Sequence, residues 1–104
     1  MYVVHFYAGT QKEWVRNKMI AALDAGIPVF ISECSICDAS GNGGIDYGSA
    51  DAWFSLLNER GISYIAWSLS NKSETSALIN SWCDKLSDDD LSDTGRWFKN
   101  MMSR

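Results

Sequence analysis

Across the chain's 104 residues the apolar pattern passes three times from a period of two to a period near 3.6. Tyr2–Ala8, YVVHFYA, is a β-type run of aromatic and β-branched residues. Val15, Met19, Ala22 and Leu23 then fall along one helical stripe, which Ala25-Gly26 ends before Pro28 opens the next strand. Val29-Phe30-Ile31 reads as a short buried strand. A second helix is predicted over about Ser49–Arg60, with Ala50, Trp53, Phe54 and Leu57 at i, i+3, i+4 and i+7 and Gly61 as its stop. Ile62–Leu69 is the third strand, Asn71–Leu78 a polar loop, and Ser92–Met102 a last helix carrying Trp97, Phe98, Met101 and Met102 on its apolar side. Strand and helix alternating in this way imply an α/β fold with a parallel sheet and right-handed crossovers. Thr10-Gln-Lys-Glu13 reads as a capping box for the first helix. Asp88-Asp89-Asp90 reads as a solvated run near the start of the last one, where the helix dipole favours negative charge.

The stretch Pro28–Gly44, PVFISECSICDASGNGG, places Glu33 where the second strand stops and a Ser-, Asp-, Asn- and Gly-rich loop begins. A carboxylate at the end of a hydrophobic strand is costly to hold unless something uses it. Two readings stand: Glu33 pairs with something local, or it belongs to an active site at the carboxyl ends of barrel strands. His5 and Tyr7 are two apart on the first strand, so they share a face. Singly, a His or Trp on a strand is more often packed core than ligand. Yet His5, Tyr7, Glu33, Trp67, Lys72 and Glu74 all fall at strand ends or in the loops just after them, and that shared placement favours a site.

Composition narrows the classes of partner. The length suits one small domain. A net charge of -4 argues against nucleic acid or an anionic membrane surface as the partner, and the apolar runs are too short to span a bilayer. Met1-Tyr2-Val3-Val4 enters a strand with no signal-peptide start. Cys34, Cys37 and Cys83 make an odd count, which disfavours a complete disulfide framework. Cys34-Ser-Ile-Cys37 is formally a C-x-x-C pair, but loop residues follow it where a redox motif needs a helix N-terminus. A zinc site would need His5 and Cys83 as further ligands. The expectation is therefore three small reduced thiols, with no metal or cofactor.

These motifs resemble glycoside hydrolase family 5, specifically its bacterial endo-β-1,4-glucanases. His5-Phe-Tyr7-Ala is similar to the family's sixth-strand motif, Pro28–Glu33 to the seventh strand ending in the nucleophile, and Asp38–Gly44 to the loop after it. Trp67-Ser-Leu-Ser-Asn-Lys72-Ser-Glu74 resembles the eighth strand with its substrate loop. Cys34-Ser35 departs from the aromatic residue and Gly that usually follow the nucleophile. The resemblance implies that residues 1–104 are the C-terminal part, about the last three βα units, of a TIM (β/α)8 barrel. It implies Glu33 as nucleophile of a retaining mechanism, Tyr7 holding that nucleophile ionised and His5 ordering the polar network. Trp67 would be the platform under the cleaved sugar, with Lys72 and Glu74 binding hydroxyls of the next glucose. The family's acid/base, a Glu on the fourth strand preceded by Asn, has no counterpart here, so the chain alone is expected to be inactive.

The implied ligand is a β-glucan or cellulose oligosaccharide, and the implied compartment of a full-length enzyme is secreted, periplasmic or cell-surface. A non-catalytic glucan-binding half-barrel is the alternative. Trp14, Trp53, Trp82 and Trp97 read as packing, with a rim contact as the other reading of Trp82. Three strands expose two sheet edges and a face bearing Val3, Phe30, Ile31 and Ile65, so the chain is expected to associate with itself or with the missing barrel half.

Overall fold

The elements run β1 (Tyr2–Tyr7), α1 (Glu13–Asp24), β2 (Val29–Ser35), α2 (Tyr47–Arg60), β3 (Tyr64–Ala66), a 3-10 turn (Asp88–Asp90) and α3 (Asp93–Met102). The structure, a computed structural model, describes residues 1–83 and 87–103. The strands form one parallel sheet in the order β1-β2-β3, so the topology is the one that the alternating pattern predicts. The body measures 45 × 24 × 22 Å, a slab such as a few adjacent units of a barrel wall would make.

One face of the sheet carries the helices, and its core is aromatic. Phe54 of α2 meets Phe6 at 5.6 Å, Tyr64 at 4.8 Å, Trp97 at 4.9 Å and Phe98 at 5.4 Å, all edge to face. Phe6 also lies flat on Trp53, with centroids 3.8 Å apart, and the Trp53 indole N–H donates to the Gln11 carbonyl at 2.7 Å. Each such ring pair contributes about 0.5–1.5 kcal/mol beyond its area burial. The four α2 residues on the predicted stripe, Ala50, Trp53, Phe54 and Leu57, are all fully buried.

Local chemistry sets the helix ends. The Asp46 carboxylate caps α2 by accepting from Ser49 N at 3.0 Å, and its other oxygen accepts from Lys12 Nζ at 2.8 Å. The Lys12 contact and the Ser49 amide together hold the Asp46 carboxyl below its usual range. Gly61 ends α2 at φ 66°, in the left-handed region that glycine enters without a Cβ penalty. Ser92 caps α3 through Gly95 N at 3.1 Å while donating to Ala77 O at 2.6 Å. A Cβ on Gly95 would lie 2.1 Å from the Leu78 carbonyl oxygen, so only glycine lets α3 sit this close to the loop after β3.

Several expectations are corrected. Thr10 does not cap α1: the helix starts after Lys12, and the Thr10 hydroxyl instead accepts from Ala39 N at 2.9 Å, tying down the loop after β2. β3 stops at Ala66 rather than Leu69, because the Ser68 amide is met by Ser76 O within its own loop at 3.1 Å. The Trp67–Ser68 peptide bond is cis. The Asp88–Asp90 run is solvated just before α3, as expected, but forms its own turn, with the Asp90 carboxylate accepting from the Ser87 hydroxyl at 2.8 Å, and Asp93 is the acidic residue in the first turn of α3. Ile31 is fully buried against the helices rather than on the opposite face. Trp14 and Trp82 are exposed, the former with the Lys18 ammonium 5.2 Å over its ring; of the four tryptophans expected to pack, only Trp53 is fully buried, with Trp97 partly so.

The second face of the sheet is bare: Val3 is 52% and Ile65 54% exposed. We expect Phe54→Ala, which removes the ring that joins β1, β3 and α3, to cost about 3–5 kcal/mol. In a chain this short that is a large part of the whole stability, about 5–15 kcal/mol. Urea unfolding followed by near-UV circular dichroism should show the transition moved close to zero denaturant. A midpoint within error of the parent would be inconsistent with this core.

Candidate active site

The site begins with an irregularity in β2. Ile31 faces the helices, so strict alternation would turn Glu33 toward the helices as well. The pairing departs from this. Val4 stands opposite Ile31 but the next residue, His5, stands opposite Glu33. On the other side Tyr64 is opposite Ile31 and Ala66 opposite Cys34. Against both neighbours β2 therefore carries one extra residue between Ile31 and Cys34, a bulge that re-aims a side chain. Glu33 moves to the bare face beside His5 and Tyr7, and Cys34 returns to the core, where it is fully buried.

There the Tyr7 hydroxyl donates to Glu33 Oε2 at 2.7 Å. His5 Nδ1 lies 3.9 Å from Glu33 Oε1, and His5 Nε2 is 2.6 Å from Ser32 Oγ. Glu33 keeps 29% of its side-chain surface exposed, enough for a ligand to reach it. The Tyr7 phenol is pushed well above the ordinary tyrosine range, first by burial and then by its hydrogen bond to Glu33 and the negative charges of Glu33, Cys37 and Glu74. A phenol held neutral in this way can only donate toward the carboxylate. Its backbone is fixed too, since Tyr7 N donates to Gln11 Oε1 at 2.8 Å.

Trp67 follows the end of β3: its backbone N–H donates to Cys34 O at 2.8 Å, tying it to the residue after Glu33, and the residue is 44% exposed. Lys72 and Glu74 line a groove of about 260 Å³ together with Asn42 and Trp82. The loop that carries them is pinned to the loop after β2 by Ser76 N donating to Gly41 O at 2.9 Å and Thr75 N to Asn42 Oδ1 at 3.1 Å. Of the six residues singled out from the sequence, His5, Tyr7 and Glu33 come together, Trp67 is tied through its backbone to the residue after Glu33, and Lys72 and Glu74 line the neighbouring groove, with Glu74 near enough for its charge to act on Tyr7. Ser32, Gln11 and the bulge are not identifiable from the sequence. A serine or glutamine in a polar run carries no distinguishing pattern.

The C-x-x-C residues serve the core. The Cys34 thiol donates to Ile65 O at 3.4 Å and the Cys37 thiol to Asp38 O at 3.4 Å. Burial pushes both thiols above the normal range, the opposite of what a reactive thiolate needs. Among the described residues no group of three or more His, Cys, Asp or Glu is placed to hold a metal ion. The Asn71 side-chain amide donates to Cys83 O at 2.9 Å, which ties the loop after β3 to the segment before the 3-10 turn.

Residues 1–73 match the family model described as cellulase, glycosyl hydrolase family 5. The chain is 47% identical over 108 residues to endoglucanase A of Butyrivibrio fibrisolvens, covering 100% of this chain and 25% of that protein. It is 44% identical over 79 residues to endoglucanase 5 of Pectobacterium carotovorum, covering 76% of this chain and 16% of that protein. Among solved structures, one from Cytophaga hutchinsonii superposes with a TM-score of 0.90 at 38% identity, over 96% of this chain and 34% of that one. The catalytic domain of a Thermobifida fusca endoglucanase, in complex with cellotetraose, superposes with a TM-score of 0.91 at 25% identity, over 100% of this chain and 35% of that one. The chain thus spans about a quarter or less of these two relatives and about a third of the two structures. Its sheet is a partial (β/α)8 barrel.

The raised Tyr7 phenol fixes a sign. Folding favours its protonated form, so its contribution to stability is full below the unfolded phenol value of about 10 and falls as pH rises above it. In an absorbance titration near 295 nm, Tyr7→Phe should remove amplitude only from the region above the ordinary phenol range. Loss of amplitude centred near pH 10 in the folded protein would contradict the burial of Tyr7 together with its bond to Glu33.

Proposed function

The chain belongs to glycoside hydrolase family 5, and on that premise we propose that it forms the nucleophile-bearing part of a retaining endo-β-1,4-glucanase. The observation that carries this reading is the Tyr7–Glu33 hydrogen bond at the carboxyl end of the parallel sheet, on the face away from the helices. That is where barrel enzymes place their chemistry. Glu33 Oε2 is engaged by Tyr7, which leaves Oε1, on the His5 side, as the oxygen that attacks the anomeric carbon. The C–O bond to the leaving sugar breaks as the glycosyl–Glu33 ester forms, and water later releases the sugar with retained configuration.

The proton for the leaving oxygen comes from a second carboxyl group about 5–5.5 Å from the first. We assign it to a part of the barrel outside this chain. No metal or cofactor is required by this chemistry. Trp67 offers the flat apolar plate on which a glucose ring rests, and Lys72 and Glu74 offer a donor and an acceptor for hydroxyls of the neighbouring unit. The bare face of the sheet implies a partner, either the rest of the barrel or a second copy. Each large apolar side chain left open there costs about 1.5–3 kcal/mol relative to burial. A polymeric substrate cannot cross a membrane, so the reading also places the working enzyme outside the cytoplasm.

The test uses a substrate that does not need the missing proton. A 2-deoxy-2-fluoro-cellobioside with a dinitrophenolate leaving group departs unassisted and leaves a slowly hydrolysed glycosyl-enzyme. We expect mass spectrometry to find one label per chain, on Glu33, none on Glu33→Gln, and slower labelling of Tyr7→Phe. Unlabelled parent chain that still binds cello-oligosaccharides would point instead to a non-catalytic glucan-binding half-barrel.

A further inference from the structure

Thr10-Gln-Lys-Glu13 has the spacing of a capping box, yet three of its residues reach away from the helix instead. The Thr10 hydroxyl accepts from Ala39 N at 2.9 Å, in the loop after β2. Lys12 Nζ donates to Asp46 Oδ2 at 2.8 Å, at the start of α2. Between them Gln11 turns back onto the end of β1, where its side-chain Oε1 accepts from Tyr7 N at 2.8 Å. The segment is a junction, and Gln11 is its arm toward the site.

Tyr7 depends on such an arm because of where its amide points. In the described sheet β1 pairs with β2 alone. Ala8 N donates to Ser35 O at 3.0 Å, so the Tyr7 amide, one residue earlier, points to the outer edge, away from β2. There the Gln11 side-chain oxygen takes the place that a neighbouring strand's carbonyl would fill. The Tyr7 carbonyl accepts from Thr10 N at 2.8 Å and from Gln11 N at 2.9 Å. Gln11 O in turn accepts from the Trp53 indole N–H at 2.7 Å, and the Trp53 ring lies flat on Phe6. Gln11 is therefore anchored to the core by its carbonyl, and it grips Tyr7 with both its amide N–H and its side chain.

We propose that Gln11 is a positioning residue: it holds Tyr7 onto Glu33, and through Tyr7 it sets which Glu33 oxygen stays free. The Tyr7 hydroxyl reaches Oε2 at 2.7 Å from a backbone fixed at the strand edge. A Tyr7 free to swing at that edge would let the carboxylate rotate and present either oxygen. Among the described residues no hydrogen bond joins Gln11 to Glu33, so the effect runs through Tyr7. Its consequence for the reaction rests on the reading of Glu33 as nucleophile; the hold on Tyr7 does not.

Two readouts on the 104-residue chain test this. The first is the rate of labelling by the dinitrophenyl 2-deoxy-2-fluoro-cellobioside. Gln11→Met keeps the bulk and reach but loses the acceptor, and should slow labelling about tenfold. Gln11→Asn, polar but one carbon short, is the milder variant and should slow it as well. Gln11→Glu keeps an oxygen at the same reach and should label within about twofold of the parent. In a Tyr7→Phe background Gln11→Met should change the rate by less than about twofold, because the two residues act in series. The second readout is the absorbance titration near 295 nm. Gln11→Met should bring Tyr7 amplitude down toward the ordinary phenol value of about 10, and Gln11→Glu should return it above that range. Parent-rate labelling by Gln11→Met, or effects that multiply in full in the double variant, would overturn the inference and leave the nucleophile reading standing. If the parent takes no label, the nucleophile reading fails and the titration judges Gln11 alone. Tyr7 amplitude unmoved in Gln11→Met then overturns the inference, and amplitude that moves and is restored by Gln11→Glu upholds it.

Discussion

The extra residue that β2 inserts between Ile31 and Cys34 decides which side of the sheet the Glu33 carboxylate faces, and the rest of the site depends on that decision. Without it, Glu33 would enter a layer filled by Phe6, Trp53 and Phe54, where an unpaired carboxylate is severely penalised. With it, Glu33 stands on the open face, opposite His5 and bonded to Tyr7 at 2.7 Å. The same bulge turns Cys34 back into the core, where its thiol bonds to Ile65 O. One local departure from alternation therefore serves the core and the site together.

The two faces of the sheet are built on opposite terms. On the helix side, Phe54 joins rings from β1, β3 and α3 into one cluster, and Asp46, Gly61 and Ser92 fix where α2 and α3 begin and end. That side is a finished core. On the other side Val3, Ile65 and Trp67 stand open beside His5, Tyr7 and Glu33. Exposed apolar strands next to a polar constellation are what a sector of a barrel presents when its interior is uncovered. The site is positioned by the finished face and opens onto the uncovered one.

Much of this is legible in the residues. The α2 stripe of Ala50, Trp53, Phe54 and Leu57 is strongly periodic, and all four are buried as the period requires. His5 and Tyr7 share a face because residues two apart on a strand do. The bulge is not legible: residues 31 and 33 share a parity, so a regular strand that puts Glu33 on the site face also puts Ile31 there, and only Ile31 is misplaced. Thr10 has the spacing of a helix cap, yet its hydroxyl accepts from Ala39 N, a contact 29 residues away that no local pattern encodes. β3 reads too long because Trp67–Leu69 has strand-like residues, yet the Ser68 amide and carbonyl pair with Ser76 O and Leu78 N in the following loop. Trp82 reads mainly as packing, since an isolated tryptophan is more often buried than bare.

Glu33, turned outward by the bulge, is on our proposal the nucleophile of a β-glucanase whose second carboxyl group lies elsewhere in the barrel. Supplying that part in trans tests this most directly. The chain would be co-expressed with the remaining βα units of the Butyrivibrio fibrisolvens relative, and the purified pair assayed for release of reducing ends from carboxymethylcellulose. We predict hydrolysis by the pair, by neither part alone, and none when the chain carries Glu33→Gln. Undiminished hydrolysis by the pair carrying Glu33→Gln would contradict it.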